Sequence, residues 1–194
     1  MTAARGIVHS EMPQQTEGRM RGFQLWLNLP AKEKMKPAAY SDIAAAQIPV
    51  VPIEQGSVKV IAGTYRGTQG AVNGGTTDPY YWDVHLEAGA TFEGTLPADY
   101  NAFLYAYEGE AAVGEDKKPL PHRAAGLLSP GDRVRMVAGD KGARVLALAG
   151  KPIGEPIVQY GPFVMNTREE IEQAIADYQA GVLSKEQVRR IKVA

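Results

Sequence analysis

The sequence contains no cysteine and only three histidines, His9, His85 and His122, among its 194 residues. The absence of cysteine excludes a disulfide scaffold, a thiol nucleophile, an iron–sulfur cluster and a cysteine-ligated zinc site. Any metal ion must therefore be held by nitrogen and oxygen ligands. The scarcity of histidine narrows that option further, because imidazole is the commonest metal ligand among the side chains.

The chain has neither a charge excess nor a long hydrophobic run. Its 21 Lys and Arg residues balance 22 Asp and Glu residues, giving a formal net charge of −1. Proteins that bind polyanions usually show a basic excess or a basic face, so we expect no direct contact with nucleic acid. No run approaches the roughly 18 apolar residues that suggest a membrane span, and the first residues lack the apolar segment of a secretory signal. We therefore expect a cytoplasmic protein with no membrane partner.

Glycine and proline are abundant, at 21 and 13 residues, which favours short strands joined by tight turns. Residues 22–29 alternate apolar and polar side chains with period two, which predicts a strand with one face in a core; that face carries Phe23, Leu25, Leu27 and Leu29. Residues 30–52 are polar, alanine-rich and interrupted by proline. This segment is the best candidate for a boundary between two structural units.

Beyond residue 52, short apolar runs recur at turn-length spacing, each bounded by Gly, Pro, Asp or Asn. Many short strands without intervening helices predict a sandwich or a barrel. The runs are 58–62, 80–86, 102–107, 111–113, 126–128, 133–137 and 143–149.

The last part of the chain has a helical pattern instead. Thr167 followed by Glu170 forms a capping box, which predicts a helix that Gly181 ends. Ser184 with Gln187 predicts the start of a second short helix.

One histidine stands beside a carboxylate at a spacing that suits a strand. If residues 7–11 are extended, His9 and Glu11 project from the same face, where an imidazole and a carboxylate make half of a metal site. Such a pair on a strand is more often a surface pair than a ligand pair. The spacing by itself therefore leaves both interpretations open.

Several sequence blocks, spread from the first residues to the last predicted helix, point to a known family. RGIVHSEMP at 5–13 and FQLWLNLP at 23–30 are followed by EKM at 33–35. QYGPFVMNT at 159–167 precedes EEI. In combination these blocks resemble the pirin family along the whole chain.

The resemblance implies a bicupin, in which two small antiparallel β-barrels stand in tandem and the first holds a mononuclear iron by three His and one Glu. It implies that His9 and Glu11 match the third His and the Glu, that Fe(II) is the cofactor, and that Glu11 also acts as a catalytic base. The other two family ligands belong to a His-x-His motif, which is absent from this sequence. We therefore expect the chain to begin inside the first cupin and to bind iron weakly or not at all.

The expected fold is all-β, with tandem cupin barrels of the double-stranded β-helix or jelly-roll type, the first one incomplete, and short C-terminal α-helices. Residues 1–52 are expected to be the C-terminal part of the first cupin plus a linker. Residues 53–165 are expected to form the second cupin, and residues 166–194 a helical tail.

The second cupin is expected to be free of metal. The segment 89–109 matches the spacing of a metal-binding cupin motif and places Thr95, Pro97 and Ala102 at the ligand positions, while Val134 takes the remaining one. None of these side chains binds iron.

The other two histidines match no ligand of the family. His85 lies in an apolar stretch and alternates with Asp83, so both are expected to face solvent on the outer wall of the barrel. His122 follows Pro121 in a predicted turn. We interpret both histidines as surface residues.

The resemblance implies an oxidoreductase similar to non-haem iron quercetin 2,3-dioxygenases, acting on a small aromatic flavonol. With only half of the metal site, the chain as given is expected to be inactive. Two alternatives are a non-enzymatic binding or regulatory protein, of the iron-dependent transcription-cofactor type with a protein partner, and a non-functional fragment. We also expect self-association through the incomplete first barrel, because the strand predicted at 22–29 would present an unpaired apolar edge.

Overall fold

The computed structural model describes residues 1–10, 12, 15–183 and 189–190. The chain divides into two compact units: Ile43–Pro152 forms one, and Met1–Asp42 together with Ile153–Ala194 forms the other. The three-part division expected from the sequence stays a prediction. Neither α-helix in the described part of the chain has the length and apolar character needed to cross a membrane.

Strands far outnumber helices, which confirms the all-β prediction. Two short 3-10 helices lie at Ala45–Gln47 and Gly75–Thr77. In chain order the other elements are α1 (Ala31–Lys34), β1 (Ala39–Tyr40), β2 (Val50–Ile53), β3 (Gly56–Ala62), β4 (Thr64–Tyr65), β5 (Thr68–Gln69), β6 (Tyr80–Leu86), β7 (Thr91–Thr95), β8 (Asn101–Val113), β9 (Lys118–Leu120), β10 (Ala125–Leu127), β11 (Arg133–Gly150), β12 (Val158–Tyr160), β13 (Phe163–Met165), α2 (Arg168–Gln179) and β14 (Arg189–Arg190).

An eight-stranded antiparallel sheet dominates the unit Ile43–Pro152. Its strands follow the order β10-β8-β11-β6-β3-β2, with β7 paired to the first part of β11 and β9 paired to the end of β8. β6 shows how the sequence selects the inner face: Trp82 and Val84 are fully buried, while Asp83 and His85 alternate with them and lie on the opposite face. The predicted run 80–86 thus matches β6 in full.

β8 and β11 are longer than the sequence predicts, because each joins two of the predicted runs into one strand. The glycines that indicated turns are instead sites of irregular pairing, with a register shift between Ala138 and Ala143. Gly109 and Gly142 have φ angles of +62° and +76°. A Cβ atom on Gly109 would lie 2.0 Å from the Gly142 carbonyl oxygen, so only glycine allows this close approach.

The other unit is built from both ends of the chain. β12 and β13 form an antiparallel hairpin, and β1 pairs in parallel with β14. The predicted capping box is confirmed: the Thr167 side chain accepts a hydrogen bond from the Glu170 amide, and Glu170 accepts one from the Thr167 amide. Gly181, with a φ of +66°, follows the end of α2. The second helix predicted from Ser184 and Gln187 lies outside the described residues.

The strand predicted at residues 22–29 is wrong. This segment has no regular secondary structure, and the side chains of Phe23, Leu25 and Leu27 are exposed rather than buried. A β-strand needs a neighbour for its backbone hydrogen bonds, and none of the described strands pairs with these residues. The alternating pattern carried no information about a pairing partner.

Candidate functional site

His9, the first ligand predicted from the family resemblance, is exposed and lies in a segment without regular secondary structure. Glu11, predicted as both a metal ligand and a catalytic base, lies outside the described residues. The expected projection of the two side chains from one strand face therefore stays a prediction. Within the described ranges, no three His, Asp or Glu side chains lie close enough together to hold a metal ion.

In the unit Ile43–Pro152, the sequence places Thr95, Pro97, Ala102 and Val134 at the ligand positions of a metal-binding cupin. Thr95 lies at the end of β7 and is exposed. Val134 is buried in the hydrophobic core, and Ala102 packs against that core. None of these side chains is a good iron ligand.

Aromatic side chains fill the interior of this unit. The rings of Tyr65 and Phe92 stack with centroids 5.6 Å apart, and Trp82 packs edge-on against Tyr65 at 5.3 Å. A Cβ atom on Gly94 would lie 2.7 Å from the Trp82 ring, so the glycine leaves room for the indole. The Trp82 indole N–H is buried without a hydrogen-bond partner. This interior functions as a packed core rather than as a ligand cavity.

A polar cluster lies on the opposite, outer face of the same sheet. His85 Nε2 is 3.0 Å from Asp83 Oδ2 on β6. The Tyr107 hydroxyl, from β8, donates a 2.7 Å hydrogen bond to Asp83 Oδ1 and lies 3.1 Å from His85 Nε2. Because β11 separates β6 from β8, Tyr107 spans a whole strand to reach them. The Tyr107 ring packs with Leu146 and Leu148 of β11 in a small apolar cluster.

Charges and burial set the protonation states in this Asp83–His85–Tyr107 cluster. Burial by itself would raise the pKa of Asp83, but hydrogen bonds from His85 and Tyr107, with the charge of Lys59, outweigh it and hold the pKa below its usual value. Burial raises the pKa of Tyr107, and the hydrogen bond to Asp83 raises it further. At neutral pH the cluster therefore contains a carboxylate and a neutral phenol.

The sequence predicted part of this cluster. The alternation of Asp83 with His85 correctly indicated that they share the outer face, yet the histidine is half-buried and hydrogen-bonded rather than an ordinary surface residue. Tyr107 was missed, because a register shift between Arg144 and Val145 determines where it lies on β8. Bulges of this kind leave no clear signal in a single sequence.

A buried lysine is the main polar feature of the other unit. Lys34 is 5% exposed, and its ammonium donates hydrogen bonds to Asn28 Oδ1 at 2.6 Å and to the Val164 carbonyl at 2.9 Å. Burial lowers the pKa of Lys34, and the carboxylates of Glu155 and Glu170 partly oppose that shift. These contacts connect α1 to β13 within the unit.

Comparison with protein families gives two matches along the chain. Residues 81–184 match the Pirin C-terminal cupin domain, and residues 1–27 match the Pirin family. The first match covers more than half of the chain and includes β6, β8 and β11. It confirms the cupin prediction for the sheet that carries the Asp83–His85–Tyr107 cluster.

Two bacterial relatives and one solved structure support the same assignment. The chain is 51% identical over 192 residues to a Pseudomonas aeruginosa protein provisionally named as a quercetin 2,3-dioxygenase, covering 95% of this chain and 66% of the relative. It is 50% identical over 183 residues to a pirin-like protein of Caulobacter vibrioides, covering 93% and 65%. The crystal structure of a quercetin 2,3-dioxygenase from Acinetobacter baumannii superposes with a TM-score of 0.76 at 34% identity, over 81% of this chain and 55% of the other. The chain thus spans just under two thirds of the length of these curated relatives.

Proposed function

The chain belongs to the pirin family, and from this membership we propose that it contributes to an iron-dependent oxidoreductase of the quercetin 2,3-dioxygenase type. The observation that carries the proposal is the similarity to the Acinetobacter baumannii quercetin 2,3-dioxygenase, in fold and at 34% sequence identity. The proposed substrate class is a small aromatic flavonol. The name of the Pseudomonas aeruginosa relative supports the same substrate class.

His9 and Glu11 are the proposed iron ligands of this chain, and Glu11 is also the proposed base. An imidazole and a carboxylate are suitable donors for non-haem iron, which is typically held by three protein ligands of these types. The described residues do not fit a complete centre, since they contain no group of three such donors. We therefore derive no catalytic step through iron and expect weak metal binding and no quercetin turnover by this chain alone.

The test measures iron binding and quercetin turnover by the purified chain. Titration with Fe(II) under anaerobic conditions should show weak binding that His9→Ala reduces. His122→Ala is the matched control, because His122 is also exposed and should leave binding unchanged. Equal binding by His9→Ala and the unmodified chain would contradict the ligand assignment. Quercetin turnover by the purified chain would contradict the expectation of inactivity.

A binding or regulatory role is a second candidate, and the packed interior of the unit Ile43–Pro152 favours it. Since Tyr65, Trp82 and Phe92 fill that interior, this unit can contact a partner only through its surface. Iron binding by itself does not separate the two candidates, because the regulatory alternative is also iron-dependent. Quercetin binding or turnover that depends on His9 supports the oxidoreductase, whereas iron binding without either favours the binding role.

A further inference from the structure

Three metal-ligating side chains meet on the outer face of the sheet, far in sequence from His9 and Glu11. His85 Nε2 lies 3.0 Å from Asp83 Oδ2 and 3.1 Å from the Tyr107 hydroxyl, which in turn lies 2.7 Å from Asp83 Oδ1. From this geometry we propose that Asp83, His85 and Tyr107 form a binding site for a divalent first-row transition-metal ion.

The separations match those between ligands of one metal ion. Nitrogen and oxygen ligands lie about 2.0–2.2 Å from such an ion, so two ligands at right angles are about 2.8–3.1 Å apart. The measured separations, between 2.7 and 3.1 Å, fall close to this range. A metal ion would replace the protons that the three groups now share. The phenol proton and any proton on His85 Nε2 go to solvent, and no electron is transferred.

The side chains also have suitable chemistry and support. Imidazole and carboxylate are common ligands for zinc, copper, iron and nickel, and a phenolate adds a second anionic oxygen. Asp83 and His85 occupy successive outward positions of β6, and Tyr107 is held on β8. Sites built on the strands of a sheet are better preorganised than sites on loops. The third ligand is a tyrosine, so the cluster contains only two side chains of the His, Asp and Glu type.

The site is reachable from solvent and has mixed charges around it. The side chains of His85 and Asp83 are 23% and 14% exposed. Lys59 lies 4.0 Å from Asp83 and opposes a bound cation, although its own side chain is 44% exposed and can turn outward. Arg144 stands opposite His85 in the sheet, but its charge is paired with Glu108 at 3.0 Å.

Cu(II) is the most suitable metal for testing this site, since it binds most tightly among the divalent first-row ions. A coordinated phenolate also gives Cu(II) a visible charge-transfer absorption. The titration is carried out on a His9→Ala background, which removes one of the two ligands proposed for iron. We expect one equivalent of Cu(II) to bind with this absorption. Asp83→Asn should weaken binding about tenfold or more, whereas Lys59→Gln should strengthen it and His122→Ala should change nothing.

Tyr107→Phe is the decisive variant, because it keeps the ring against Leu146 while removing the ligand oxygen. It should abolish the charge-transfer absorption and weaken Cu(II) binding, and thermal unfolding without metal checks that the variant is folded. Absence of the absorption in the parent protein, or its persistence in Tyr107→Phe, would overturn the proposal and leave the cluster as a structural hydrogen-bond network. Because every variant lacks His9, the outcome does not depend on the imidazole proposed as an iron ligand above.

Discussion

The phenol of Tyr107 on β8 donates a 2.7 Å hydrogen bond to the carboxylate of Asp83 on β6, across the intervening strand β11. This contact joins the two neighbours of β11 on the outer face of the sheet. It also holds the Tyr107 ring against Leu146, an outward-facing residue that is nevertheless buried. The outer face is thus ordered by a polar interaction between side chains as well as by the strand ladder.

Tyr107→Phe should lower the stability of the metal-free protein moderately. The variant keeps the apolar contacts but removes a hydrogen bond to a charged acceptor, which is worth about 1.5–3 kcal/mol. We expect a decrease toward the lower end of that range, because His85 and Lys59 still stabilise the carboxylate. Urea denaturation measures the change. Tyr160→Phe, at an exposed hairpin position, is the control and should differ by less than about 0.5 kcal/mol.

Trp82 is expected to be the most sensitive position of the core, because it is fully buried among Tyr65, Tyr80 and Phe92. Trp82→Ala should cost about 3–5 kcal/mol by leaving a large cavity. Trp82→Phe should cost less, since it keeps an aromatic ring and removes an indole N–H that has no hydrogen-bond partner. Chemical denaturation followed by circular dichroism compares the two. Equal losses would show that Trp82 is not packed as described.

Gly109→Ala should be strongly destabilising, whereas Gly114→Ala should be tolerated better. Both glycines have positive φ angles, +62° and +74°, so an alanine is strained at either position. A Cβ atom at Gly109 would in addition lie only 2.0 Å from the Gly142 carbonyl oxygen. A Cβ atom at Gly114 would have no neighbouring atom within 4 Å. We expect a loss of about 1 kcal/mol for Gly114→Ala and at least twice that for Gly109→Ala. Similar thermal unfolding temperatures for the two variants would contradict the close approach of β8 and β11.

The sequence predicted the sheet where local pattern determines the structure. β6 was predicted to the residue because strict alternation and flanking prolines and glycines define it. The pattern failed at 22–29, since pairing depends on a partner strand that a local window does not contain. The same limit explains why only part of the cluster on the outer face was predicted. Asp83 and His85 were placed together by their spacing in one strand, whereas Tyr107 reaches them only through the register of two other strand pairs.

The exposed segment 22–29 should promote self-association. Trp26 is 64% exposed, and Phe23 and Leu27 nearby are exposed as well, so this segment presents apolar surface to solvent. Light scattering at increasing protein concentration should show species larger than a monomer. The variant Trp26→Ser with Leu27→Glu should shift the protein toward the monomer. Leu127→Ser is the control, because Leu127 is 90% exposed but belongs to β10 of the other unit. A monomer at all concentrations would contradict the prediction.

Lys34 should make stability depend on pH in the alkaline range. Burial lowers the pKa of Lys34 below the value near 10.4 expected in the unfolded chain, so between the two pKa values the unfolded state binds more protons. The contribution of Lys34 to the free energy of unfolding therefore rises with pH in that window. The Lys34→Met variant lacks this pH-dependent contribution. It also leaves Asn28 and the Val164 carbonyl without their lysine donor, at a cost of about 1–3 kcal/mol. Urea denaturation of both proteins between about pH 7 and pH 10 should show the stability difference growing as the pH rises. Groups common to both proteins titrate alike, so their effects cancel in the stability difference between the two proteins. A stability difference that does not change with pH would show that the Lys34 ammonium is not desolvated.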